Sequence, residues 1–123
     1  MKLLESAENY LEAILMFREE KGMVRAIDVV NQLGFSKPSV SVAMKNLETN
    51  EFITRNSDGF IFLTESGEEI ATMIFERHKL LTDLFVRLGV SPETARDDAC
   101  KIEHDLSEET FECIKRAYSD INE

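Results

Sequence analysis

From Thr64 to Leu88, apolar residues recur at Ile70, Met73, Ile74, Leu80, Leu81, Leu84, Phe85 and Leu88, the spacing that keeps one stripe of a helix facing inward. The segment predicts one helix of 25 residues, about 37 Å long. That length matches the diameter of a small domain, so the chain is expected to be either one domain or two small lobes sharing this helix. Gly89 closes the helix, and Ser91-Pro92 opens another that runs to about Asp105. Ser107 caps a last helix whose Phe111, Ile114 and Tyr118 offer an apolar face.

Ahead of the long helix the elements are short. SAENYLEAILMFREEK puts Tyr10, Ile14 and Phe17 on one stripe, with Leu11 and Leu15 beside it. It predicts a helix over 7–20, capped by Ser6 and ended by Gly22. Met23 and Val24 suit a very short strand, and AIDVVNQLG spaces Ile27, Val30 and Leu33 for a helix over 26–33 that stops at Gly34. In FSKPSVSVAMKNLETNEF, Ser36 is an N-cap and Pro38 falls in the first turn, where its missing N–H costs little. Val40, Ala43, Met44 and Leu47 form the inward stripe of this third helix; Lys37, Ser39, Ser41, Val42, Lys45 and Asn46 point outward. FITRNSDGFIFLT is a hairpin turning at Asn56-Ser57-Asp58-Gly59. There is no internal repeat and no low-complexity tract.

Three short helices followed by a hairpin is the winged arrangement of helix-turn-helix proteins. The net charge of −10 argues against nucleic acid only as an average. Residues 21–62 carry five basic and four acidic side chains, whereas 63–123 carry seven basic and fifteen acidic. A DNA-facing N-terminal lobe is therefore allowed. Lys37 and Lys45, with the hydroxyls of Ser36, Ser39 and Ser41 and with Asn46, suit phosphates and base edges, and the wing adds Arg55 and Asn56. No apolar run approaches the ~20 residues that span a bilayer, and the start turns acidic before a signal-type core develops, so a cytoplasmic protein without membrane contact is expected. Two cysteines are too few for a disulfide framework.

One stretch in the acidic half carries a ligand spacing. In DDACKIEHDLS, Cys100, Glu103 and His104 stand at i, i+3 and i+4, where a thiolate, a carboxylate and an imidazole share one helix face. Taken alone, each has an ordinary alternative: a small buried thiol, a solvated acid, a hydrogen-bonded ring.

Several segments in order resemble the diphtheria-toxin-repressor family of metal-dependent transcriptional regulators, and most of all its compact branch that includes the manganese transport regulators. They are SAENYLEAI, SKPSVSVAMKNLE, GFIFLTESGEEIA, RHKLL and CKIEHDLS, and together they cover nearly the whole chain. The resemblance implies a mostly α fold. It implies an N-terminal winged helix-turn-helix DNA-binding domain, residues 1–63, followed by a helical metal-binding and dimerisation domain, residues 64–123, joined through the long helix at about 64–88. It implies a homodimer that binds a palindromic operator in double-stranded DNA and represses metal homeostasis genes when Fe(II) or Mn(II) is bound. Co(II), Ni(II) or Zn(II) are expected as surrogate ions.

Carried onto this sequence, the family's metal ligands fall on Asn9, Glu12, His78, Cys100, Glu103 and His104. Asn9 departs from the acidic or thioether ligand of the family. Cys100 resembles the iron-type members, and a thiolate moves preference from Mn(II) towards Fe(II). Thr82 and Arg96 replace two ligands of the ancillary site found in three-domain members, so that site is not expected, and with a sequence ending near 123 neither is their SH3-like domain. Three alternatives stand beside this reading: a winged-helix regulator that no longer senses metal, a helical protein-interaction module, and a metal-dependent hydrolase using Glu103 as base. The hydrolase is the weakest, since no Gly-rich loop or second catalytic motif accompanies it, and no small organic substrate is expected.

Overall fold

The structure is a computed structural model that describes residues 5–122. Among the described residues nine elements follow in chain order: α1 (Glu5–Lys21), β1 (Val24–Arg25), α2 (Ala26–Leu33), α3 (Lys37–Thr49), β2 (Ile53–Arg55), β3 (Phe60–Leu63), α4 (Glu65–Arg87), α5 (Pro92–Ile102) and α6 (Glu108–Asn122). Two compact units form, Met1–Met73 and Ile74–Glu123, and α4 contributes to both.

The first unit is a winged helix. Tyr10, Leu11, Ile14 and Leu15 of α1 are buried with Val40, Met44 and Leu47 of α3, the positions their helical periods select. The sheet has the order β1-β3-β2, with both pairings antiparallel. The β2–β3 turn is organised by Asn56, whose Oδ1 accepts hydrogen bonds from the Asp58 and Phe60 N–H groups, while Gly59 takes φ 84°. Ser36 caps α3 by accepting from the Ser39 N–H at 3.2 Å.

Local expectations fail in three places. Ser6 lies inside α1, which already includes Glu5, so it is not the cap. On α2 the residue turned to the core is Val29, at 1% exposure, while Ile27 is 44% exposed. An eight-residue helix admits two neighbouring stripes, and packing against α1 and α3 chooses the one through Val29 and Leu33. The helix expected to reach Asp105 stops at Ile102, for a reason that belongs to the site described below.

Where α4 starts, its backbone meets the entry to β2. A Cβ on Gly67 would stand 2.0 Å from the Phe52 carbonyl oxygen and 3.0 Å from its carbon. Both are main-chain atoms, and the oxygen also accepts a hydrogen bond from the Thr64 N–H at 3.0 Å, so neither can move alone. Gly67→Ala is expected to lower the unfolding free energy by about 2 kcal/mol despite the better helix propensity of alanine. Urea denaturation measures it, and an unchanged midpoint would show that this approach is not tight.

The second unit is built by the rest of α4 with α5 and α6 around Ile74, Leu81, Ala95, Ala99 and Phe111. Polar ties hold α6 to α4: Lys115 pairs with Glu76 at 2.8 Å, and the Tyr118 hydroxyl donates to Asp83. That hydrogen bond first, and the Arg87 guanidinium second, hold the Asp83 carboxyl below the usual carboxylate range. A carboxyl lowered in the folded state contributes stability above its unfolded pKa and loses it as pH falls through the lowered one, so acid loosens this tie. No helix among the described residues is long and apolar enough to cross a membrane.

Candidate metal centre and nucleic-acid interface

In the second unit the candidate centre forms where α5 ends. Glu103 donates its N–H to the Ala99 carbonyl in the helical manner, but its own carbonyl is taken by Arg77 at 3.0 Å instead of by a next helical turn. The same guanidinium nitrogen donates to the Leu106 carbonyl at 2.8 Å, and the group stacks over Phe111 at 5.1 Å. Captured at both carbonyls, the chain turns at 103–105, and Ser107 then starts α6 by accepting from the Thr110 N–H. This is why α5 stops at Ile102. Glu103 and His104 therefore sit in a turn, with Cys100 on the last turn of the helix.

The turn aims the Glu103 carboxylate inward, at 0% exposure. Its Oε2 lies 2.9 Å from His78 Nδ1 of α4, and its Oε1 lies 3.4 Å from His104 Nε2. His104 is itself buried, at 7% exposure. Oε1 accepts no well-aligned hydrogen bond among the described residues. A buried carboxylate oxygen left so is costly, by roughly 1–3 kcal/mol or more when ionised, and native proteins keep few. A carboxylate between two imidazoles is a donor set that suits a divalent first-row cation. These residues fit such an ion.

The other sequence-expected ligands lie as follows. Cys100 is exposed on α5; in the first unit, Asn9 is half-buried and Glu12 is buried at 7% on α1. Arg77 was not foreseen. At 5% exposure it replaces an apolar side chain on the inner stripe of α4, three residues after Ile74 and four before Leu81, and only that position hinted at burial.

In the first unit, Lys37, Ser39, Ser41, Lys45 and Asn46 are all exposed along one side of α3, opposite Val40, Met44 and Leu47. Ser36 is exposed as well, but its Oγ serves the cap and donates to Ser39 Oγ at 2.8 Å. On the wing, Asn56 spends its carbonyl oxygen on the turn, and Arg55 pairs with Glu48 at 2.9 Å. That hydrogen bond holds the Glu48 carboxyl below its ordinary range. Arg25 is a further exposed cation beside the wing, its guanidinium 4.2 Å from the centre of the Phe60 ring. It went unseen because the contact arises from the cross-strand pairing of Arg25 with Phe60.

A winged helix with a polar, cationic outer face, in one chain with a separate unit that buries a carboxylate between imidazoles, defines a class: DNA-binding regulators with a metal-binding domain. Comparison with known proteins gives the family. Residues 2–59 match the iron-dependent repressor N-terminal DNA-binding domain, and residues 64–123 match the iron-dependent repressor metal-binding and dimerisation domain. The transcriptional regulator MntR of Escherichia coli O6:H1 is 38% identical over 111 residues, 90% of this chain and 72% of that protein. Among solved structures, T. acidophilum IdeR superposes with TM-score 0.80 at 25% identity, covering 91% of this chain and 53% of that one. A manganese-dependent transcriptional repressor in complex with manganese superposes with TM-score 0.82 at 25% identity, covering 92% and 52%. The chain spans about half the length of these solved structures. It belongs to the iron-dependent repressor family, whose members here are transcriptional regulators and not enzymes.

Proposed function

We propose that this chain is a metal-activated transcriptional repressor that binds a palindromic operator as a homodimer in the cytoplasm and senses Fe(II) or Mn(II). The observation that carries the reading is the fully buried Glu103 carboxylate, with His78 and His104 on its two oxygens and Oε1 short of an aligned donor. His78, Glu103 and His104 are the proposed core of the ligand set, and Cys100, Asn9 and Glu12 are the members added by family resemblance. When bound, the cation supplies the positive charge that an ionised buried carboxylate needs. Arg77 positions the Glu103 backbone, and His78 orients the carboxylate. On the DNA side, Ser36, Lys37, Ser39, Ser41, Lys45 and Asn46 of the α3 face are the proposed contacts, with Arg55 and Asn56 on the wing. Residues 1–63 are proposed as the DNA-binding domain and 64–123 as the metal-binding and dimerisation domain.

The test is a binding titration with duplex DNA enriched by the full chain from a randomised pool, with Mn(II) or Fe(II) and with chelator. Metal should raise affinity by roughly 10- to 100-fold, the usual span of a coupling between two sites. Equal affinity in both conditions leaves a DNA-binding regulator and removes the metal switch. Affinity that also ignores salt removes DNA as the partner, because phosphate contacts release counterions.

A further inference from the structure

Val42 breaks the chemistry of the surface on which it sits. Beyond Pro38 in its first turn, the outer side of α3 is otherwise made of lysine, serine, asparagine and threonine, yet in its middle Val42 is 61% exposed. It is not an overflow of the core, because Val40, Met44 and Leu47 turn the opposite side of the helix inward. Nor does it serve the helix: a β-branched side chain loses rotamer freedom there and is a poorer helix former than the residues usual at exposed positions. Its two methyl groups are held in one direction by the preferred χ1 of a helical valine.

We propose that Val42 reads the C5 methyl group of a thymine in the DNA major groove and is a specificity-determining residue of this chain. This rests on α3 being the helix that enters the groove. Each base pair presents a distinct edge there, and thymine alone offers an apolar methyl. Val42 has no donor or acceptor to offer any other edge, while Ser41, Lys45 and Asn46 around it supply hydrogen bonds. Cytosine at the same place would lay its N4 amino group against an apolar surface and lose a water partner for it. The aliphatic contact therefore selects thymine both by attraction and by exclusion.

The experiment replaces thymine with uracil, which removes that methyl group and nothing else, one position at a time in a duplex enriched by the full chain with Mn(II). One thymine per half-site should weaken wild-type binding about 4-fold when converted, the worth of one methyl-sized group withdrawn from water, and about 15-fold when both half-sites are converted. In Val42→Ala, which leaves the core untouched, the same conversions should cost less than about 2-fold, with binding otherwise retained. Equal penalties in both proteins at every thymine would overturn the assignment while leaving α3 as the recognition helix. Failure to enrich any duplex would overturn the recognition-helix reading and this inference with it.

Discussion

Glu103→Gln is expected to lower the affinity for Mn(II) or Fe(II) by about 100-fold or more and to leave the apo protein no less stable than wild type. The substitution keeps shape and hydrogen-bonding capacity and removes one charge. In the folded chain that charge has 0% exposure, and one of its oxygens lacks an aligned donor. A group that served only the fold would be missed when neutralised. One retained for a cation should instead relieve a cost, and a gain of up to about 1 kcal/mol in chelator is expected. Metal should stabilise wild type by mass action and fail to stabilise the variant at the same concentration. Thermal unfolding with and without metal reads both effects, and a Co(II) titration followed by absorption reads affinity directly. If the variant gains as much stability from metal as wild type does, Glu103 is not a ligand.

Arg77→Met tests the support of the site. Methionine keeps most of the aliphatic length but strands the Glu103 and Leu106 carbonyls, which now receive a guanidinium at 3.0 and 2.8 Å, and it removes the cation from the Phe111 ring. Hydrogen bonds from a charged donor are worth ~1.5–3 kcal/mol each, and part of the loss returns through the apolar replacement. A net destabilisation of about 3 kcal/mol is expected in urea denaturation. Metal affinity should fall together with it, by roughly 10- to 100-fold, because groups that orient a ligand matter almost as much as the ligand. Retained metal affinity in a destabilised protein would make Arg77 a packing residue alone.

The fold was legible because its signals are local. The stripes of α1, α3 and α4 repeat over several turns, Ser36 caps a helix with Pro38 in its first turn, and the Asn56–Gly59 turn carries its own hydrogen-bonding side chain. Where a helix was short, as in α2, two stripes competed and only tertiary packing could choose Val29. The candidate centre was legible as residue types and not as geometry. Glu103 and His104 were placed on a helix face with Cys100, but the helix ends before them, because an arginine 26 residues earlier competes for the carbonyl that would have continued it. A buried cation on an apolar stripe has no local signature: Arg77, between an isoleucine and a leucine of the inner face, is recognised only once the carbonyls it serves are in place.

That arginine also fixes a length. His78 is its immediate neighbour on α4, and Glu103 is the residue whose carbonyl it grips, so imidazole and carboxylate are braced through one guanidinium. The spacing of the two side chains is thereby set from within the chain. If the proposed cation sits between them, it meets a separation already fixed by that contact, and an ion of another radius would have to strain it.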